Sequence, residues 1–107
     1  LSGAHRLRVH YDSGTTNVNR KIHQDVHDFV RLATKGDTIL IVGFTSETGD
    51  HANNAWLAKE RVRKLSEVIH DASQVPVTPL FGPGWVIGKE GMSADVWIIP
   101  ARDTFSR

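Results

Sequence analysis

One stretch of the sequence, residues 38–72, constrains the fold more than any other. It begins with Thr38-Ile39-Leu40-Ile41-Val42, an apolar, mostly β-branched run that is typical of a strand covered on both faces. A polar loop containing glycine follows, and the amphipathic segment from Asp50 to Ala72 then predicts a long helix. This order places a strand end, a loop and a helix start around one candidate pocket. Backbone N–H groups at such a helix start favour an anionic group.

The remaining segments predict three further strands and one helix. His5–Tyr11 alternates apolar and polar residues, which indicates a half-buried strand. Residues 12–17 have turn and cap chemistry, and Val18–Ala33 then has helical spacing, with Gly36 as the helix C-terminal cap. Val77–Leu80 is predicted to form a short edge strand, because Pro76, Pro79 and Pro83 are spaced too closely for a central strand. Ala94–Ile99 is predicted to form the last strand.

The predicted order of elements is therefore β-α-β-α-β-β. Strand–helix–strand units at this spacing need crossovers, which are normally right-handed. The predicted fold class is α/β, a two-layer α+β sandwich in which helices cover one face of a mixed sheet. With 107 residues, the sequence predicts a single domain that ends in a frayed tail at residues 101–107. Because it starts at Leu1 without a signal peptide, we interpret it as a fragment of a larger protein.

Composition excludes several classes of function. The chain has no cysteine, so disulfides, thiolate metal sites and a cysteine nucleophile are excluded. The formal net charge is +1, which gives no electrostatic case for nucleic acid as a partner. No apolar run approaches the roughly 20 residues that span a bilayer, so a membrane anchor would lie outside this fragment.

Two polar residues of the predicted second helix are candidate ligand contacts. Asn54 and Arg61 are about two helical turns apart and share a face, roughly 10 Å apart along the axis. Arg61 interrupts the apolar stripe, and its planar guanidinium suits a carboxylate. Two other interpretations stay open. Arg61 could lie on the surface near Glu60 and Glu67, and Asn54 could only brace the loop.

A set of spaced residues in this stretch matches a known pattern in register and without a gap: Gly43, Phe44, Thr45, Gly49, Asn54, Leu57, Arg61, Leu65 and Ile69. Tyr11-Asp12 matches an aromatic-aspartate pair after the first strand, and Val96–Ile99 matches the last strand. In these positions the sequence resembles the OmpA-like peptidoglycan-binding domain, which also occurs in peptidoglycan-associated lipoproteins and flagellar stator proteins. The resemblance covers nearly the whole chain and implies the same β-α-β-α-β-β order.

The resemblance also implies a ligand and the residues that bind it. In the family, a pocket holds the diaminopimelate residue of a peptidoglycan stem peptide. Arg61 takes the place of the arginine that pairs with a ligand carboxylate, and Asn54 that of the pocket asparagine. Thr45 and the following loop take the place of the backbone-donating segment. The implied ligand-binding residues are thus Thr45, Ser46, Asn54 and Arg61, with Tyr11, Asp12, Glu47 and Asp50 as further candidates.

The sequence departs from the family pattern at two places near this pocket. Ser46 replaces the aspartate that engages the ammonium of the ligand, and a hydroxyl carries no charge to strengthen such a bond. Glu47 or Asp50 could substitute for that aspartate. Ala94-Asp95 replaces an Arg-Arg pair before the last strand, which removes two cations near the site and adds an anion.

From this resemblance we predict a non-enzymatic module of the Gram-negative periplasm. It would tether an envelope protein or complex to peptidoglycan through a noncovalent pocket, attached to the inner or outer membrane by a segment outside this fragment. The alternative is an OmpA-like domain that has lost peptidoglycan binding and serves as a structural or protein-interaction part of a secretion or conjugation machine. No cofactor is predicted, and no nucleophile–base, paired-carboxylate or phosphate-loop arrangement indicates an enzyme.

Other residues have simpler interpretations. His23 and His27 have the i, i+4 spacing of a metal-ligand pair, but no further ligand accompanies them, so we interpret them as surface residues. Trp97 is predicted to pack under or beside a helix, and Trp85 could be exposed in a glycine-proline loop. Ser46 has none of the surroundings of a nucleophile.

Overall fold

A computed structural model of the chain describes residues 3–44, 50–81 and 92–101. The order of elements within these ranges is β-α-β-α-β-β, as predicted. The predicted turns at residues 82–91, Trp85 and the tail after Ala101 lie outside the described residues. The elements are β1 (His5–His10), α1 (Arg20–Val30), β2 (Thr38–Gly43), α2 (His51–Ala72), β3 (Val77–Phe81) and β4 (Ser93–Ile99).

The four strands form one mixed sheet in the order β1-β4-β2-β3. β4 is antiparallel to both of its neighbours, whereas β2 and β3 run parallel and are joined through α2. β3 is an edge strand, as predicted, which is where a strand tolerates a proline such as Pro79.

Both helices pack on the same face of this sheet. Alternate residues of the strands are buried with the apolar faces of α1 and α2 in a single cluster. Its fully buried members are Val26, Val30, Ile39, Ile41, Leu65, Ile69, Ala94 and Val96. Burying one large aliphatic side chain of this kind stabilises the fold by about 1.5–3 kcal/mol. The two-layer α/β architecture that the sequence predicts is confirmed.

The start of α2 is the best predicted boundary in the chain. The Asp50 carboxylate accepts hydrogen bonds from the backbone N–H groups of Ala52 and Asn53, at 3.0 and 3.2 Å, and so caps the helix. The helix continues to Ala72, where the predicted segment ends. None of the helices among the described residues combines the length and the hydropathy that a bilayer crossing requires.

The boundaries of α1 differ from the prediction. Asn19 is the N-terminal cap, since its side-chain oxygen accepts from the N–H of Ile22 at 2.8 Å, and residues 12–17 form a loop instead. The helix ends at Val30, so Gly36 does not cap it. Gly36 lies in a separate turn with φ of 96°, next to Asp37, whose carboxylate accepts from the N–H of Thr34. The prediction for Gly36 was wrong because this local turn intervenes.

The outer face of the sheet, opposite the helices, also differs from expectation. Alternation along β4 places Val96 against the helices, so Trp97 faces the other way. The Arg6 guanidinium lies 5.7 Å from the centroid of a Trp97 ring. The prediction that Trp97 packs under or beside a helix was wrong. In β2, Leu40 and Val42 are half-buried on this outer face, rather than fully covered.

Candidate functional site

Arg61 lies in the interior of the protein, on the face of α2 that meets the loop between β1 and α1. Only 2% of the residue is exposed. Its Nε donates a hydrogen bond to the Thr15 carbonyl at 2.8 Å, and Nη2 donates to the Asp12 carbonyl at 3.5 Å. The guanidinium therefore fastens the β1–α1 loop to α2 across a long separation in sequence.

The ring of Tyr11 completes the surroundings of this guanidinium. The Arg61 Cζ atom lies 4.6 Å from the centroid of the ring, which is the geometry of a cation–π contact. The Tyr11 hydroxyl is buried and has no hydrogen-bond partner among the described residues. Burial raises the pKa of the Tyr11 hydroxyl well above its ordinary value, and the positive charge of Arg61 opposes that shift. Tyr11 therefore stays neutral across the physiological range.

Arg61 remains a cation in spite of its burial. Loss of solvation lowers the pKa of its guanidinium from its ordinary value, but an arginine starts from a pKa above about 12. No ion pair joins Arg61 to a carboxylate of the described residues, whereas Arg8 and Arg63 both have such partners. A buried charge is normally neutralised or coordinated. Among the described residues, two loop carbonyls and the Tyr11 ring surround the Arg61 guanidinium.

The β1–α1 loop is ordered by its own hydrogen bonds and by a second cation from α2. The Asp12 carbonyl accepts from the Thr15 N–H at 3.2 Å and from the Thr15 hydroxyl at 3.0 Å. Gly14 has φ of 75°, a conformation that glycine adopts without strain. The Lys64 ammonium donates to the Thr16 hydroxyl at 2.9 Å. A cavity of about 240 Å³ opens beside the loop, lined by His10, Tyr11, Asp12, Thr15, Asn17, Asn19 and Ile22.

Of the other predicted site residues, some lie at the start of α2 and others fall outside the described residues. Asn54 is half-buried in the first turn of α2, where its N–H bonds to the Asp50 carbonyl at 2.9 Å. Asp50 uses its carboxylate to cap α2. Thr45, Ser46 and Glu47 lie outside the described residues. The structure thus brings Tyr11, Asp12 and Arg61 together, with Asn54 further towards the start of the same helix.

Asp95, the anion at the place of the family's second arginine, pairs with arginines of β1. It lies on the outer face of the sheet, and its carboxylate accepts two hydrogen bonds from Arg8, at 2.8 and 3.0 Å. Arg6 approaches the same carboxylate at 3.8 Å. Alternation along β4 turns Asp95 away from the helices.

Sequence reasoning missed the roles of Thr15 and Lys64, and also a further cavity. That cavity, about 590 Å³, lies between the C-terminal ends of the two helices, at the end of the domain away from the β1–α1 loop. It is lined by Val30, Arg31, Ala33, Lys35, Gly36, Ala72, Ser73, Gln74, Val75 and Pro76. No spacing pattern marks these residues. The rings of His23 and His27 stack with centroids 6.2 Å apart, and no cluster of three or more metal-ligating side chains occurs in the described ranges.

The chain is thus a two-layer α/β domain of β-α-β-α-β-β order with a buried arginine on its second helix. No family model and no curated protein matches the sequence. Solved structures do match. The OmpA-like domain of FopA1 from Francisella tularensis has a TM-score of 0.68 and 13% identity, over 94% of this chain and 77% of that one. The C-terminal domain of Helicobacter pylori MotB has a TM-score of 0.65 and 13% identity, over 91% and 88%.

An outer membrane protein from Borrelia burgdorferi is also similar, with a TM-score of 0.59 and 14% identity over 90% of this chain and 86% of that one. At such low identity these similarities show the fold. The chain has an OmpA-like fold, and the resemblance that the sequence predicts is confirmed at that level.

Replacing Tyr11 with phenylalanine tests the state of its buried hydroxyl. Tyr11 is the single tyrosine of the chain, and its pKa is raised on folding. Above pH of about 10 the unfolded chain loses a proton that the folded chain keeps, so stability falls as pH rises. Tyr11→Phe should lack this part of the alkaline loss and should equal or exceed the wild type by up to about 1 kcal/mol at pH 7.

The measurement is urea unfolding of both proteins between pH 7 and 11. Tyrosinate absorbance of the folded wild type should appear only above the pH at which free tyrosine ionises. An equal alkaline loss of stability in the two proteins, or a large loss in Tyr11→Phe at pH 7, would contradict the assignment.

Proposed function

We propose that this domain is a non-enzymatic cell-wall-binding module that holds peptidoglycan noncovalently. The observation that supports it most is the buried Arg61 guanidinium, which has no carboxylate partner among the described residues. The diaminopimelate residue of a stem peptide carries a carboxylate of the kind that an arginine binds through paired hydrogen bonds. The OmpA-like fold supports the same function, because the sequence resemblance places the family arginine at Arg61.

The donors of Arg61 are divided between the loop and the proposed ligand. Nε and Nη2 bond to loop carbonyls, and Nη1 has no hydrogen-bond partner in the ranges that the structure describes. In our proposal Nη1 faces the ligand carboxylate. Thr45, Ser46 and Asn54 complete the pocket, with Asp12, Glu47 or Asp50 as the acidic partner of the ligand ammonium. Asp12 has its carboxylate free of the bonds that hold Arg61, since it uses its main-chain carbonyl for them.

The domain would act in the periplasm of a Gram-negative bacterium, held to the inner or outer membrane by a segment outside this sequence. This placement follows the similar solved structures, which include a periplasmic domain of Helicobacter pylori MotB and an outer membrane protein from Borrelia burgdorferi. Peptidoglycan is the proposed partner, and the domain would tether other envelope proteins to it.

Co-sedimentation with purified sacculi tests the function. The wild type should pellet with sacculi at low salt, and free diaminopimelate should release it, whereas lysine should not. Arg61→Ala should weaken binding by at least about tenfold, because it removes a charge-assisted contact to the ligand. Arg61→Lys keeps the cation but loses the planar fork and should bind at an intermediate level.

The matched control is Arg63→Ala. Arg63 lies two residues further along α2, is exposed, and pairs with Glu60 at 2.9 Å and Glu67 at 2.7 Å. The Arg63→Ala variant should pellet like the wild type. Circular dichroism checks that each variant is folded. Absence of wild-type pelleting at low salt, or equal loss in the Arg61 and Arg63 variants, would contradict the proposal.

A second function is favoured by Ser46, which leaves the family position of the ammonium-binding carboxylate without a charge. In that case the domain is a protein-interaction part of an envelope secretion or conjugation machine, and Arg61 only braces the β1–α1 loop. Ser46→Asp separates the two. Gain of sacculus binding by this variant, when the wild type does not bind, indicates a pocket that lacks only its acid. Failure of both proteins to bind supports the interaction module.

A further inference from the structure

β1 is an edge strand of the sheet that the described residues form. It pairs with β4 alone in the described sheet. The Tyr11 N–H donates to the Met92 carbonyl at 2.8 Å, on the β4 side. Because backbone groups alternate sides along a strand, the N–H and C=O groups of Arg6 and His10 point to the open edge. Such groups are a template for another strand.

A groove runs along this open edge, between β1 and α1. Its central part is a cavity of about 170 Å³, lined by Leu7, Arg8, Val9, His10, Asn19, Lys21, Ile22 and Asp25. His10, Asn19 and Ile22 also line the cavity of about 240 Å³ beside the β1–α1 loop. The two cavities are therefore contiguous. A groove between an edge strand and a helix is a recurring site for extended peptides, which add to the sheet through main-chain hydrogen bonds.

The side chains along the groove determine which strand it suits. Arg6, Arg8 and His10 project from β1 on the outer face of the sheet, and Leu7 projects on the helix face, near Ile22. A strand added here would place alternate side chains beside the arginines and the others beside Leu7 and Ile22. Acidic residues suit the first set and apolar residues the second.

The same charges disfavour a second copy of this chain as the occupant. Antiparallel pairing of β1 with β1 of another copy would bring arginines beside arginines on the outer face. Like charges on adjacent strands destabilise such a pair. On the β4 side of β1, Asp95 pairs with Arg6 and Arg8, which shows that these arginines favour an acidic neighbour.

We propose that the open edge of β1 binds an extended segment of a partner protein, with alternating acidic and apolar residues, as an added strand of the sheet. The acidic side chains lie beside Arg6 and Arg8, and the apolar ones fill the groove towards Ile22. The groove adjoins the β1–α1 loop of the proposed peptidoglycan pocket, but it uses the edge of β1 and does not use Arg61 or Asn54.

Three blocked hexapeptides are suitable probes: one alternates glutamate and valine, one alternates lysine and valine, and one has three glutamates followed by three valines. The first should bind at least about tenfold more tightly than the others, because only it places both charge and apolar groups in register. On binding, the backbone amides of Arg6 and His10 should become protected from hydrogen exchange. The Leu7 and Val9 amides, which already face β4, should change little.

Two variants make the test specific. Arg6→Pro removes an N–H that faces the open edge and no bond to β4, so the fold should persist while peptide binding is lost. Arg6→Gln should weaken binding of the acidic peptide, and Arg31→Gln, an exposed charge at the far end of α1, should not. Equal binding of the acidic and basic peptides, unchanged binding by Arg6→Pro, or dimerisation through β1 in sedimentation runs would each overturn the proposal.

Discussion

Replacing Asp95 with alanine is expected to lower the free energy of unfolding by about 3 kcal/mol. The side chain of Asp95 is 3% exposed, and that of its partner Arg8 is 25% exposed. Arg8 holds both carboxylate oxygens, through Nε at 2.8 Å and Nη2 at 3.0 Å. Removing the carboxylate leaves a partly buried cation without its anion, next to Arg6. The loss stays near the low end for buried pairs because water can still reach part of Arg8.

Urea unfolding followed by tryptophan fluorescence measures this loss. Asp95→Asn keeps an acceptor for Arg8 but not the charge, so its loss should be intermediate. Asp25→Ala is the control, since the Asp25–Lys21 pair is exposed and such pairs contribute little. If Asp95→Ala is as stable as Asp25→Ala, the Arg8–Asp95 pair is not part of the stabilising structure of the outer face.

The order of elements followed from the sequence because each depends on local signals. Alternation specified β1, and Asp50 marked the start of α2 through the hydrogen bonds that its carboxylate makes there. Proline placed β3 at the edge of the sheet. These signals act over a few residues, so a single sequence is sufficient to read them.

The errors have a common physical origin in competing local contacts and in the choice of sheet face. Asn19 caps α1 in place of residues 12–17, because it directly precedes the first helical residue. Gly36 served a turn of its own instead of the helix. For Trp97, the strand was right but the face was not, because both faces of β4 carry bulky residues. Periodicity alone does not identify which face meets the helices.

The candidate site was only partly accessible from sequence. The spacing of α2 singled out Arg61, and the residues after β1 singled out Tyr11 and Asp12. The hydrogen bond from Arg61 to Thr15 joins residues 46 positions apart, and no local pattern predicts a contact of that range. The bond ties α2 to the β1–α1 loop, so it links the stability of the fold to the geometry of the proposed pocket.

Gly43→Ala is expected to lower the free energy of unfolding by about 2 kcal/mol, and Gly43→Val by more, because α2 packs directly on the end of β2. A Cβ atom at Gly43 would lie 2.6 Å from Val62 Cγ2 and 3.1 Å from the Ala58 carbonyl oxygen. Val62 can turn aside, but the backbone at Ala58 moves only with the helix. Since Arg61 precedes Val62 on this helix, displacement of α2 would also loosen its bond to Thr15.

A double-mutant cycle with Val62→Ala separates the clash from other effects. Val62→Ala removes the nearer contact, so Gly43→Ala should cost about 1 kcal/mol less in that background than in the wild type. Gly14→Asn is the matched control, because Gly14 has φ of 75°, which asparagine tolerates, and a Cβ there meets no atom within 4 Å. Independent, additive losses at positions 43 and 62 would show that the close approach of β2 and α2 does not constrain this site.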